Sequence, residues 1–257
     1  MPLLDNSKFI IILVSDKKKF EQYYFFIHIP KTAGSSFRSM LYKQFPQDVI
    51  YPNLKDIRAN RGHYPYLKAA REVLQGERQV QFLMGHYPYA IGKKLPKDPE
   101  CIVFLRDPME RAISNIYHLQ QNNPRFKNIS ERVIIESAVS QINNIHVRFL
   151  GDWRFRPKKL FTAETEWGAK AIIRAKRNLD SCAFVGFTEY FEESVAALQQ
   201  KFNWKLGRIL KKNTTSKRRK SPLSDDLYEK LTALNQLDIE LYNYAVEKHL
   251  PLIVNRC

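Results

Sequence analysis

The chain has 257 residues, enough for one α/β domain over residues 1–257 that buries a full core without disulfide staples. Lys and Arg outnumber Asp and Glu by 42 to 26, a net charge of +16, so the protein attracts anions: a phosphorylated cofactor, an acidic acceptor or a nucleic acid. The three cysteines, Cys101, Cys182 and Cys257, stand far apart with no C-x-x-C or Cys/His cluster, which excludes a zinc site of the usual spacing and reads as free thiols in a reducing compartment.

The first apolar run, Phe9 to Val14, is too short for a membrane span and lacks the basic leader and small-residue cleavage site of a signal peptide, so a cytoplasmic location is expected. It reads as a short extra strand or arm. Tyr23 to Ile29 is rich in aromatic and β-branched residues and reads as a strand buried on both faces of a parallel sheet. Pro30 ends it, having no N–H to donate. Phe37, Met40, Leu41 and Phe45 then recur at helical spacing, which makes the residues between a strand-to-helix turn. A helix N-terminus offers unpaired N–H groups and partial positive charge to a phosphate. Lys31 adds a mobile cation; Thr32, Ser35 and Ser36 add hydroxyls; Ala33 and Gly34 add backbone, with Gly34 permitting close approach. The turn is not the Walker pattern, because its lysine leads and one glycine is missing.

Residues 46–65 mix Pro, Asn, Gly and charges and read as irregular surface structure. A helix is expected over 67–74, ending at Gly76, and a strand from Val80 that leaves sharply at Gly85 and Pro88. His86 follows that strand, at the end that faces the ligand crevice in a parallel sheet. A third strand, from Cys101 to Leu105, delivers Arg106, suited to bidentate phosphate binding. Asp107 as N-cap, Pro108 at the first position and Glu110 three residues on start the next helix, which presents Ser114 off the centre of its apolar stripe. Arg106 paired to Asp107 or Glu110 within a structural cap is the plainer reading of the same residues. Ser130 to Leu150 reads as one long helix and 183–202 as a late strand and helix. The stretch 205–220 contains eight Lys or Arg and no acid, and 224–250 reads as one long amphipathic helix.

Pro-Lys-Thr-Ala-Gly-Ser-Ser (30–36) after a hydrophobic strand resembles the 5′-phosphosulfate loop of sulfotransferases that use 3′-phosphoadenosine 5′-phosphosulfate (PAPS), and Arg106-Asp107-Pro108 with Ser114 resembles their 3′-phosphate motif. The resemblance implies a P-loop NTPase-like three-layer α/β fold with a central parallel sheet flanked by helices. It implies PAPS as cofactor, 3′-phosphoadenosine 5′-phosphate (PAP) as product, and no metal. Lys31 would stabilise the leaving phosphate. Gly85-His86 resembles the place where glycosaminoglycan 2-O-sulfotransferases carry a catalytic histidine, which makes His86 the expected base, although those enzymes have a second histidine where Met84 stands here. Thr215, Lys217 and Arg218 lie where the family has a basic loop over the 3′-phosphate. Asn144, His146 and Arg148, in an Asn-x3-Arg-x-Leu pattern, would face the acceptor, expected to be a hydroxyl-bearing glycan or other anionic small molecule rather than a specific nucleic acid. The absence of an N-terminal anchor points to a bacterial or soluble member. Two alternatives stay open: a P-loop kinase, disfavoured by Arg106 where a Walker B acid would stand, and a non-enzymatic nucleic-acid-binding protein using the 205–220 run.

Overall fold

The computed structural model describes residues 22–60, 71–95, 97–151, 166–207 and 223–255. The run after Tyr23 forms β1 (Tyr24–Ile27), every residue of it buried. It lies at the centre of a five-stranded sheet of order β2-β3-β1-β4-β5, with β2 Ile50–Tyr51, β3 Phe82–Gly85, β4 Glu100–Leu105 and β5 Phe184–Phe187. All pairings are parallel: Ile27 stands opposite both Gly85 and Val103, and Leu105 opposite Phe187. A parallel sheet hides both faces, which is why its strands carry unbroken apolar runs rather than alternation. Strand order runs outward from β1 in both directions, so the crevice at its C-terminal end, flanked by the exits of β3 and β4, is where such folds bind ligands.

Helices flank the sheet. Helix α1 (Gly34–Gln44) follows β1 and sends Phe37 into the core, 4.8 Å from Phe26 and 5.1 Å from Phe104 between ring centroids. The stretch expected to be irregular after Phe45 is ordered in its described part: β2 is followed by α2 (Leu54–Ala59). Asn53 and Asp56 close a reciprocal capping box there, a signal the sequence did contain; a two-residue strand leaves none. Arg71–Leu74 (α3) is helical as expected, and 67–70 lie outside the described residues, as does the arm at 9–14. Helix α4 (Tyr89–Gly92) follows β3, and α5 (Pro108–Asn122) follows β4.

Two long helices of the sequence reading are broken. Ser130–Leu150 divides into α6 (Glu131–Ser137), a 3-10 turn and α7 (Ile145–Leu150), with Asn144 left-handed at φ 45°. After α8 (Glu166–Asp180) and α9 (Phe191–Phe202), the C-terminal helix divides at Asn235 into α10 (Asp225–Leu234) and α11 (Gln236–His249), and α12 (Pro251–Val254) follows. Both breaks serve one buried joint. Asp238 accepts the N–H groups of His146 (2.9 Å) and Val147 (2.8 Å), while the Asn144 side chain accepts the N–H of Asp238 (3.0 Å). Asn235 Oδ1 accepts the N–H of Asn144 (3.2 Å), and Arg111 of α5, fully buried, donates to the Ile142 carbonyl (2.6 Å). Asparagines tolerate the left-handed and capping geometries that end helices, and apolar periodicity does not register them.

Burial pushes the Asp238 carboxyl up to about 6, against the pull of the Arg111 charge, and burial lowers Arg111 to about 10. Each therefore depends on the other to stay ionised inside the protein. Asp238→Ala is expected to destabilise the fold by about 3–5 kcal/mol by leaving a buried cation unmatched, a drop in thermal midpoint on the order of 10 °C. Thermal denaturation followed by circular dichroism checks this, and an unchanged midpoint would show that Arg111 does not rely on Asp238.

Candidate active site

The turn between β1 and α1 holds two non-glycine residues in the left-handed region, Lys31 (φ 71°) and Ala33 (φ 60°). Thr32 between them is buried, and its Oγ1 donates to the Ile29 carbonyl at 2.9 Å, so this hydroxyl fastens the turn to itself rather than reaching for a ligand. Ala33 caps α1, its carbonyl accepting the N–H groups of Ser36 (2.9 Å) and Phe37 (3.3 Å). Of the hydroxyls expected in the turn, Ser35 is exposed and Ser36 buried. Gly34 is required for a reason other than phosphate approach: a Cβ there would lie 2.0 Å from Cδ2 and 2.2 Å from Nε2 of His28, whose ring lies against the glycine.

Arg106 leaves β4 and donates from Nη1 to the Lys31 carbonyl at 3.3 Å, tying the two sequence motifs together. Its Nη2 stands 3.5 Å from Glu110, so the guanidinium is held from both sides, and the cap pairing foreseen from sequence coexists with a place in the site. Asp107 does cap α5, accepting the Glu110 N–H at 2.8 Å. The reciprocal bond is made by Glu189 instead of Glu110, taking the Asp107 N–H at 3.0 Å from the turn after β5.

His28 follows β1 and His86 follows β3, with ring centroids 4.6 Å apart and planes at 40°. His86 Nδ1 lies 2.6 Å from the His28 carbonyl oxygen. A carbonyl can only accept, so Nδ1 carries the proton and neutral His86 has no proton on Nε2. Burial lowers the His86 pKa, the His28 carbonyl opposes that, and the Arg38 charge adds to it. His28 is held well below the usual histidine range by burial first, then by His86, Arg38 and Lys31. Sequence reasoning passed over His28 because it falls within the apolar run Tyr23 to Ile29 that reads as a buried strand.

Ser114 lies on the α5 face that follows Arg106 and is buried. One turn on, His118 was also passed over. Its pKa is lowered by burial and then by Lys31, whose charge reaches it. Asn122 Nδ2 lies 3.0 Å from His118 Nδ1 and 3.1 Å from the His118 carbonyl. The second contact requires an amide nitrogen, so Nδ1 accepts and Nε2 carries the hydrogen. His86 and His118 are thus fixed in opposite tautomers. An i, i+4 pairing with an asparagine was the available signal.

Asn144, His146 and Arg148, expected to face an acceptor, are placed inside the protein. All three are buried; Asn144 and the His146 backbone belong to the Asp238 joint, and Arg148 Nη1 donates to the Ser140 carbonyl at 3.0 Å. A short helix with α11 packed across it has no solvated face for them. Thr215, Lys217 and Arg218 lie outside the described residues. Among the described residues, no group of three or more His, Cys, Asp or Glu side chains is placed to hold a metal ion, and no helix is long and apolar enough to cross a membrane.

The model of the sulfotransferase family matches residues 12–245. Among curated proteins, heparan-sulfate 6-O-sulfotransferase 3 of Mus musculus is 24% identical over 171 residues, 56% of this chain and 36% of that protein. Heparan-sulfate 6-O-sulfotransferase 1 of Cricetulus griseus is 23% identical over 181 residues, 60% of this chain and 45% of that protein. The chain thus spans less than half the length of these relatives, whose names specify the 6-O position rather than the 2-O enzymes to which Gly85-His86 was likened. A solved sulfotransferase from Alicyclobacillus acidocaldarius shares the fold, with a TM-score of 0.52, 17% identity and coverage of 89% of this chain and 97% of that one.

Proposed function

Because the chain belongs to the sulfotransferase family, we propose that it moves a sulfuryl group from PAPS to a hydroxyl of a glycan acceptor, with His86 as the base. The reading is carried by one juxtaposition: the cationic turn of Lys31, bonded to Arg106, and a nearby histidine whose tautomer leaves Nε2 open to a proton. The residues fit a doubly phosphorylated nucleotide. The eleven-residue α1 starts at the C-terminal end of β1 with Ser35 in its first turn and Lys31 just before it, and Arg106 at the exit of β4 with Ser114 on α5 supply a second polar seat.

When bound, PAPS supplies the sulfuryl group and a phosphate as leaving group. Lys31 and the N–H groups of the turn stabilise negative charge growing on the leaving oxygen, a contribution whose loss typically costs roughly 100-fold or more in rate. His86 Nε2 takes the acceptor's proton, and its Nδ1–H holds the ring to the His28 carbonyl while it does so. His118 Nε2–H is a donor for an oxygen on the Lys31 side of the crevice. Arg106 and Ser114 select the 3′-phosphorylated nucleotide. The relatives' names support a carbohydrate acceptor.

The test is calorimetric binding of PAP, alongside ADP with and without Mg²⁺. Wild-type protein should bind PAP without metal, and Arg106→Ala should weaken it about 10- to 100-fold, the worth of a charge-assisted pair. Tighter binding of Mg-ADP than of PAP would overturn the donor assignment.

A further inference from the structure

The peptide that joins Arg106 to Asp107 is held by residues far away in the chain. Past the end of β5, Thr188 ties itself to the last residue of β4: its N–H and its Oγ1 both donate to the Leu105 carbonyl, at 2.8 and 2.9 Å. The next residue, Glu189, accepts the Asp107 N–H on Oε1 at 3.0 Å. Its other oxygen, Oε2, accepts from the Tyr242 hydroxyl of α11, also at 3.0 Å. Tyr242 is half-buried, its ring edge-on to Phe187 of β5 with centroids 6.0 Å apart, so the phenol is a fixed post for a carboxylate that is otherwise exposed.

The bond from Glu189 changes what Glu110 does. Asp107 is the N-cap of α5, and a glutamate three residues on is the ordinary acceptor for an N-cap N–H. Glu110 faces the Arg106 guanidinium instead, 3.5 Å from Nη2, while Nη1 donates to the Lys31 carbonyl at 3.3 Å. A Glu110 drawn back onto the cap would leave Arg106 held from one side. Because Glu189 fills the cap from outside the helix, Glu110 stays with the guanidinium.

We propose that Glu189 is a positioning residue for the donor site: anchored by Tyr242, it holds the Arg106–Asp107 peptide and keeps Glu110 on Arg106, so that the guanidinium is set before a 3′-phosphate arrives. The proposal rests on the reading of Arg106 as the 3′-phosphate ligand and adds residues that act through it. A long side chain immobilised in advance spares the ordering entropy that binding otherwise costs. A carboxylate beside a phosphate seat repels the ligand through space, so the direct effect of Glu189 and its effect through Arg106 have opposite signs, which makes them separable.

The experiment is calorimetric titration of PAP into wild type, Glu189→Gln, Glu189→Ala, Arg106→Ala and the double variant Glu189→Ala/Arg106→Ala, each below the onset of its thermal unfolding. Glutamine keeps an acceptor for the Asp107 N–H and a partner for the Tyr242 hydroxyl, so Glu189→Gln should bind PAP at least as tightly as wild type. Glu189→Ala should bind it about 3- to 10-fold more weakly, the worth of ordering one side chain. On the Arg106→Ala background the same change should cost nothing further. Glu189→Ala as tight as wild type overturns the proposal, as does tighter binding by both Glu189 variants, the mark of charge acting through space alone. A loss in Glu189→Gln equal to that in Glu189→Ala overturns it, and so does the full loss persisting once Arg106 is gone. In each of these cases weaker binding by Arg106→Ala leaves the donor reading intact. Arg106→Ala binding PAP as tightly as wild type, or no binding by wild type, removes that reading and the proposal with it.

Discussion

If His86 is the base, as proposed, His86→Ala should lower kcat by about 10²- to 10⁴-fold while leaving PAP affinity within a factor of about two, because on that reading the imidazole moves a proton in the transition state and has no part in holding the nucleotide. The wild-type pH profile follows from the same environment. Burial and the Arg38 charge lower the His86 pKa from its ordinary 6.5, so neutral imidazole persists into mildly acid solution. The rate should be flat around neutrality and fall only below about pH 6.5, as protonation blocks Nε2. Added imidazole should restore part of the lost rate in the alanine variant. If His86→Ala keeps its kcat while His28→Ala loses it, the base is His28, and the tautomer argument has been applied to the wrong ring.

Gly34→Ala should damage both stability and activity. The new Cβ would stand 2.0 Å from His28 Cδ2. That ring cannot simply swing aside, being stacked on Phe26 at 5.5 Å and set against His86 at 4.6 Å between centroids. Overpacking of this kind costs about 1–3 kcal/mol. The functional loss should be larger, on the order of 10²-fold, since the same shift disturbs the carbonyl that orients His86 and the first turn of α1. The double variant Gly34→Ala/His28→Ala tests the cause. With the struck ring removed, it should be less destabilised than the sum of its single variants. Strict additivity would mean that the methyl acts elsewhere, on the backbone of the turn.

The core of this arrangement was legible in the order of residues because it depends on local chemistry. A buried strand, a proline stop, a lysine and a helix start occupy consecutive positions, and Asp107-Pro108 announces α5 without reference to anything distant. The contacts that complete the site are distant ones. Arg106 finds the Lys31 carbonyl, His28 packs on Gly34, and Glu189 rather than Glu110 takes the Asp107 N–H, and no spacing in the chain records those meetings. The misplacement of Asn144, His146 and Arg148 has a related cause. Polar residues within an apolar period read as an outward face, whereas here they sit at a junction of three helices where backbone groups at helix ends need partners. Asparagine at 143, 144 and 235 was the sign that helices stop there.

The left-handed residues Lys31 and Ala33 carry a further consequence. Each is a conformation that an L residue adopts at a cost of roughly 1 kcal/mol or more, sustained by surrounding structure. Here Thr32 bonded to Ile29 and Ala33 bonded into α1 sustain it. The turn thus acquires its shape during folding, not on arrival of a nucleotide. An anion entering it meets a rigid receptor, so association should proceed as a single concentration-dependent phase, with no slower first-order step from loop rearrangement at residues 30–36.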